Sequence, residues 1–452
     1  MTPQGSGLPP ARAAALGALE KILPVPTKSG GKSGQDLQAA LDQALRSVSD
    51  PRDKALATEI TYGFLRLKGR MEHLAAAHFS KPEKTPPGLL RIVAVAAYEL
   101  VHLDSVPPHA TLSWAVDAVK SGFGQTQAGV ANAVLRRIQA LGADAASPAF
   151  YEASARSHEQ FLSAWHSCPR WLVSLWLQQY GEQTTLALLQ AQLQKPLTGV
   201  RINALHPGAR DLFDTLSGLT FPLYSSFPWL GFGTAGSPLT ARLVQAEQNG
   251  LLSRQSPAVG ALLSQLGYTA WPGPIWDACA GRGGKSAALI EHGHATLFSS
   301  DTSKRRLRGL IIEARRLRLP PPLAFLADAA RPPLRKRPAT ILIDAPCSGL
   351  GVLARRPDAK WKRSPTDITT LAALQKRIIQ AAAQLLPPGG LLIYMTCTMT
   401  HEENDQQASF IESLDFTTEK LAQPAPGGDT RELFWGGVWR KQGLRPCTPP
   451  KG

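Results

Sequence analysis

Residues 275–286 read Ile-Trp-Asp-Ala-Cys-Ala-Gly-Arg-Gly-Gly-Lys-Ser, an apolar run that breaks into Gly281, Gly283 and Gly284. The run predicts a strand over 275–279, and the glycines predict a sharp strand-to-helix turn. Such a turn lets a ligand lie against bare backbone while the first N–H groups of the helix point at it. The same alternation continues downstream, with strands expected over 295–300, 324–327, 340–344 and 390–396. Strands separated by helices make a parallel α/β sheet, and an open sheet of that kind holds ligands beyond the C-terminal ends of its strands. One intervening helix, 304–319, places Leu307, Leu310, Ile311, Ala314 and Leu317 on an inner face and Arg305, Arg308, Arg315 and Arg316 outside. A second, 366–386, buries Ile368, Leu371, Leu374, Ile378, Ala382 and Leu385 before Pro387-Pro388-Gly389-Gly390 stops it.

Three carboxylates fall at strand ends: Asp301, Asp328 and Asp344. Asp301 stands 24 residues after Asp277, near the spacing at which an acid grips ribose hydroxyls in nucleotide-binding units. Asp328 is then placed to face an adenine edge. Taken singly, each acid is as well read as a helix cap. Together with the glycine loop they outline a nucleotide-type cofactor site. The rival reading is a phosphate-binding P-loop ending in Gly284-Lys285-Ser286, but its GxxxxGK[ST] pattern requires glycine where this chain has Cys279.

Two cysteines follow neighbouring strands: Cys347 in Asp344-Ala345-Pro346-Cys347-Ser348-Gly349, and Cys397 in Tyr394-Met395-Thr396-Cys397-Thr398. A lone cysteine is ordinarily a small buried hydrophobe, and Cys168 and Cys279 are read so, with Cys447 incidental. Two thiols beside a cofactor site suit another chemistry. Carbon 5 of cytosine attacks a methyl sulfonium poorly. A thiolate adding to carbon 6 makes an enamine whose carbon 5 is nucleophilic. Asp344, if protonated, can assist at ring nitrogen 3, and a second thiol can assist release. A dithiol redox role competes for the two cysteines but has no use for the glycine loop and the three acids.

Upstream, apolar residues recur at helical spacing over 11–23, 37–48, 55–74, 89–103, 112–119 and 130–141, the pattern of an all-α bundle. Asp36 and Thr111 are expected N-caps, Pro107-Pro108 a turn, 24–34 a mobile loop and 142–157 a linker. Residues 170–193 read as one or two helices with Trp171, Leu172, Leu175, Trp176, Leu186 and Leu189 inward. Val200-Arg201-Ile202-Asn203 reads as a strand, and 212–240 has no clear period.

The 452 residues, with 49 basic and 34 acidic side chains and a net charge of +15, allow two or three domains and favour a polyanionic partner. Residues 301–363 hold 16 of the basic and 5 of the acidic residues, so this stretch alone carries +11. Binding of RNA or DNA phosphates through it should weaken steeply with salt. Five cysteines without paired spacing argue against a disulfide framework and against zinc. His401-Glu402-Glu403 fails the HExxH metal pattern because residue 405 is Asp. No signal-peptide or membrane-spanning run is present, so a reduced, cytoplasmic protein is expected.

These residues resemble the Sun or RsmB type of RNA cytosine-5 methyltransferases over nearly the whole chain. The likeness rests on Asp277 to Lys285, Asp301, Asp328, Asp344 to Gly349, Arg355-Arg356-Pro357-Asp358-Ala359-Lys360-Trp361, Pro388-Gly389-Gly390, Thr396-Cys397-Thr398 and Glu402-Glu403-Asn404. Upstream, Tyr98-Glu99-Leu100, Val106 to Ala110 and Gly129 to Arg137 look like the NusB-type helical RNA-binding fold. The resemblance implies an α + α/β protein: a NusB-like bundle over 1–145, a small α/β RNA-contacting module over 160–240 and a Rossmann-like methyltransferase domain over 241–447. It implies S-adenosylmethionine as cofactor and RNA as substrate, with small-subunit ribosomal RNA indicated by the layout, and a monomer that needs neither metal nor membrane. By similarity Cys397 is the nucleophile and Cys347 the release cysteine. Cys279, Ala280, Gly281, Arg282, Gly283, Gly284, Lys285, Asp301, Asp328 and Asp344 line the cofactor site. Arg355, Arg356, Lys360 and Lys362, just past Cys347, are the expected RNA-phosphate contacts.

Gly281 and Arg282 depart from the family's usual Ala-Pro, and Arg282 is a candidate partner for the cofactor's carboxylate. Cytosine-5 DNA enzymes, by contrast, use a Pro-Cys nucleophile and lack the helical module. The remaining alternative is an RNA-binding, antitermination-like factor with a decayed catalytic domain, which has no need of both Cys347 and Cys397.

Overall fold

The computed structural model describes residues 7–24, 34–219, 223–233, 237–294, 296–423 and 431–443. The loop expected over 24–34, apart from its ends, and Cys447 lie outside the described residues. The chain divides into two compact units, residues 1–193 with 356–363, and residues 194–355 with 364–452.

The first unit is helical. Pro10–Ile22, Leu37–Leu45, Pro51–Ala76, Pro87–His102, Pro108–Phe123 and Gln125–Leu141 match the six expected helices. Four open on proline, whose missing N–H is one the first turn cannot use, and the Asp36 carboxylate caps another by accepting from Ala39 N–H. Their apolar stripes meet in one core around Phe64, Leu74, Val93, Trp114 and Leu135. Buried Glu99 is satisfied there by Arg12, the Thr111 hydroxyl at 2.8 Å and the Trp114 indole at 3.1 Å. Thr111 is therefore not an N-cap: it sits inside its helix, and Pro107 holds the cap position. Residues 142–157 are no plain linker either. They form a short 3₁₀ turn and the helix Pro148–Ala153, anchored by buried Tyr151 donating to the Ala145 carbonyl. The helix Arg170–Ala191 breaks at Gly181, where φ is +73°.

Residues 356–363 belong to this unit. The Trp361 indole packs on its core and donates to the Leu65 carbonyl at 2.7 Å. Lys360 is fully buried and donates to the Arg66 carbonyl and Gln192 Oε1; burial pulls its ammonium down to about 7.

The second unit contains two sheets. In the smaller, β1 (Thr198–Ile202), β2 (Tyr224–Ser226), β3 (Trp229–Phe232) and β4 (Leu252–Arg254) lie in the order β2-β3-β1-β4, all antiparallel. Helices Ala209–Leu219 and Ser237–Gln248 belong to this module, whose core includes Val200, Ile202, Leu216, Leu230 and Leu243. The absence of a period over 212–240 follows from strands of three and four residues, with all four of β3 buried, so no alternation can register.

The larger sheet runs β10-β11-β9-β8-β5-β6-β7. It contains β5 (Ile275–Asp277), β6 (Leu297–Asp301), β7 (Leu323–Leu326), β8 (Thr340–Asp344), β9 (Leu391–Thr396), β10 (Phe416–Ala422) and β11 (Trp435–Lys441). The five expected strands, β5 to β9, are parallel, and β11 and β10 extend the sheet antiparallel. The chain thus contains an all-α bundle and a Rossmann-like α/β sheet, the expected α + α/β class. The expected inward face of 304–319 needs one correction. The helix is Lys304–Arg316, and Ile311 is 43% exposed. Among the described residues, no helix is long and apolar enough to cross a membrane.

Candidate active site

The chemistry-bearing residues of the second unit gather at the C-terminal ends of β5, β6, β8 and β9. β5 ends at Asp277, and the chain turns through Cys279 to Gly283 into the helix Gly284–Glu291. Gly281 and Gly283 take φ of +58° and +82°, values that other residues adopt only with strain. A side chain at 281 would meet open space, so the backbone there is bare and accessible, as a ligand lying on it requires. Asp277 is buried and accepts from Ser286 Oγ at 2.6 Å; burial pushes its carboxyl up to about 7. Cys279 is half-buried, and its thiol is pushed up, first by burial and then by Asp277, Asp344 and Asp301. It is an inert packing residue, as is Cys168, raised to about 12 by burial.

Asp301 ends β6 beneath the loop. Its carboxylate takes Gly281 N–H at 3.0 Å, Ser303 N–H at 2.7 Å and Arg306 Nη1 at 3.2 Å. About one of its four lone pairs is left for a ribose hydroxyl, and the exposed Arg306 can swing away to free another. Asp328, two residues past β7, is exposed and accepts from Ala330 N–H. Arg282 is exposed, with its methylenes lying over Gly309.

Lys285, in the first turn of the helix, reaches the Asp344 carboxylate at the end of β8 at 2.6 Å. Burial would lower the Lys285 pKa, but Asp344, the hydrogen bond between them and Cys397 outweigh it and raise the pKa. Lys285 is therefore held as an ammonium.

The two thiols meet. Cys347 and Cys397 are half-buried, and their Sγ atoms are 3.3 Å apart. The hydrogen bond to Cys397 and burial, with the Glu403 carboxylate, push the Cys347 thiol well above its ordinary range. Cys347 therefore keeps its proton, with the Cys397 sulfur 3.3 Å away.

Beneath them sits a residue that the sequence reading singled out only within a family motif. Glu403 is fully buried and binds the loop that follows Cys347: Oε1 accepts from Ser348 N–H at 2.8 Å and Oε2 from Ser348 Oγ at 2.5 Å. It also accepts from Gln375 Nε2 and Thr400 Oγ1, while Ser348 Oγ meets Thr398 Oγ1 at 2.6 Å. Asn404 fixes the Cys397 loop, accepting from Thr396 Oγ1 and donating to the Thr398 carbonyl. The only sequence signal for this support was an acid–acid–amide run a few residues past a cysteine. Among the described residues, no group of His, Cys, Asp and Glu is arranged to hold a metal ion.

Of the four expected phosphate contacts, Lys360 is corrected. Its ammonium is spent inside the helical unit and reaches no solvent, and no spacing rule shows that a lysine points inward. Arg355 forms a two-pronged pair with the nearly buried Glu432 and donates to the Leu197 carbonyl. Arg356 and Lys362 pair with Asp36 and Asp358 and keep exposed surface.

Family models match three parts of the chain: the NusB family over residues 9–140, the ferredoxin-like domain of RsmF/B-like methyltransferases over 168–222, and the 16S rRNA methyltransferase RsmB/F family over 271–421. Ribosomal RNA small subunit methyltransferase B of Vibrio cholerae is 31% identical over 448 residues, which span 95% of this chain and 97% of that one. The crystal structure of PH0851 superposes with a TM-score of 0.72 at 18% identity, over 97% of this chain and 100% of that one. NSun6 from Pyrococcus horikoshii, solved with SFG, gives a TM-score of 0.52 at 20% identity, over 60% of this chain and 98% of that one.

Proposed function

Because the chain belongs to the ribosomal RNA small subunit methyltransferase B family, whose members depend on S-adenosylmethionine, we propose that it methylates carbon 5 of a cytosine in small-subunit ribosomal RNA through a covalent bond to Cys397. The single observation that carries this reading is the meeting of two half-buried thiols beside the Lys285–Asp344 pair.

S-adenosylmethionine supplies an electrophilic methyl group when bound to Cys279, Ala280, Gly281, Arg282, Gly283, Gly284, Lys285, Asp301, Asp328 and Asp344. The protein's residues do the rest. Cys397, close enough to the Lys285 ammonium to interact with it, adds as thiolate to carbon 6. Asp344, when protonated, serves ring nitrogen 3, and Lys285 holds its carboxyl group in place across 2.6 Å. After transfer, Cys347 passes its S–H to the Cys397 sulfur as the bond to carbon 6 breaks and, as the thiolate so formed, takes the carbon-5 proton, which restores the ring. The target base must be unpaired or splayed out to reach these sulfurs, so a loop or bulge cytosine in the cytoplasmic ribosomal subunit is the proposed target. The test is labelled methyl transfer from S-adenosylmethionine to ribosomal RNA of a strain lacking the gene, with the product mapped. A single 5-methylcytosine is expected, and methylation at a ring nitrogen or a ribose would overturn the reading.

For the RNA backbone, Arg355, Arg356 and Lys362 remain the proposed contacts. Lys304, Arg305, Arg308, Arg315 and Arg318 are also exposed and extend that field. Replacing Arg305 and Arg308 together by glutamine should lower the slope of log affinity against log salt by about 1.5. An unchanged slope would remove this helix from the RNA path.

A further inference from the structure

Arg201 stands on β1, and its guanidinium is 1% exposed and fully engaged inside the second unit. Nε and Nη2 grip both oxygens of Glu291 at 2.8 and 2.9 Å. Nη1 donates to the Gly284 carbonyl at 2.6 Å and also to Gln255 Oε1. Gly284 and Glu291 are the first and last residues of the helix that follows the glycine loop. One planar cation thus holds a first-turn carbonyl and the terminal carboxylate of the same eight-residue helix.

Both groups need it. An acid at a helix C-terminus opposes the helix dipole, and a buried carboxylate without a partner is strongly unfavourable. Stability alone does not require charges here, because apolar side chains of similar volume commonly replace a buried ion pair at no loss. What an apolar pair lacks is direction. The guanidinium fork fixes the distance and rotation of the helix against β1, itself paired on both edges through Arg201 to Trp229 and Ser253. On its other side the helix is tied by Lys285 to Asp344 and by the Ser286 hydroxyl to Asp277 and Ser299, contacts that carry no planar two-pronged geometry.

We propose that Arg201 is a positioning residue for the cofactor: from the small sheet it sets the register of the helix Gly284–Glu291, and so of the Gly281–Lys285 backbone that receives S-adenosylmethionine. The small module is then a support of the cofactor site as well as an RNA contact. The inference rests on the assignment of the glycine loop to the cofactor and is independent of which RNA atom is methylated.

The test is calorimetric titration of the full chain with S-adenosylmethionine in the absence of RNA. The double variant Arg201→Met/Glu291→Leu removes both buried charges and should fold with a melting midpoint near that of the parent. Its Kd for the cofactor should rise at least about tenfold, and Arg201→Lys, which keeps the charge but loses the fork, should raise it at least about threefold. In turnover, KM for S-adenosylmethionine should rise while kcat at saturation stays within about twofold, a split that general loosening of the fold would not produce. Gly281→Val separates the two readings. If it leaves cofactor affinity intact, the loop assignment fails. If it abolishes binding while the Arg201 variants bind like the parent, the positioning role is overturned. Should the double variant not fold, the Arg201→Lys titration decides alone.

Discussion

Cys397→Ala should lose methyl transfer by at least about four orders of magnitude and form no covalent RNA adduct, because without the sulfur carbon 5 is never activated. Cys347→Ala should behave differently. Its nucleophile is intact, so the adduct forms. The leaving thiolate, however, lacks the S–H that stands 3.3 Å away in the parent. Turnover should stall with a denaturation-stable protein–RNA band on a gel, and that band should vanish in the double variant. The two single variants make the assignment reversible by experiment: a stable band with Cys397→Ala and none with Cys347→Ala would exchange their roles. Cys279→Ala serves as the contrast. Burial and three carboxylates hold that thiol protonated, so its removal should not abolish adduct formation.

Glu403→Ala should be the most damaging change outside the thiols. It removes the acceptor of the Ser348 N–H, the Ser348 and Thr400 hydroxyls and the Gln375 amide, all in a buried setting. Orphaned buried donors each carry a penalty, and together they should lower unfolding stability by at least about 3 kcal/mol, measured by urea denaturation. Ser348 follows Cys347 directly, so the loop that sets the sulfur-to-sulfur distance loosens as well, and adduct release should slow even where the protein stays folded. Glu403→Gln keeps the shape and half of the acceptor capacity. Hydroxyls can turn to accept from the new amide, so it should recover most of the stability. Equal losses in the two variants would mean that Glu403 is held for its charge and not for its hydrogen bonds.

The parallel sheet, the glycine loop, the acids at strand ends and the two Cys motifs were legible because each is local. A strand-to-helix turn through Gly281 and Gly283 is demanded by backbone freedom, and a strand end places its next side chains at the sheet rim whatever lies around it. The helical unit was legible for the same reason, since apolar stripes repeat within single helices. What failed was non-local. Thr111 looked like a cap until Glu99, twelve residues away, claimed its hydroxyl. β10 and β11 carry Thr, Glu and Lys or paired glycines, and become strands only because β9 offers them an edge.

Fold class and the placing of both thiols beyond neighbouring strand ends were therefore readable from residue type and short spacing alone. That Lys360 faces a core, that Lys285 sits on Asp344, that Glu403 underlies Cys347 and that Arg201 grips the helix Gly284–Glu291 from another sheet emerged from the packed chain alone. A charged side chain has no intrinsic inside or outside. Its place is fixed by whichever partners the folded chain brings within about 3 Å, and residues 55 to 294 positions apart along the chain leave no mark of that meeting in either local pattern.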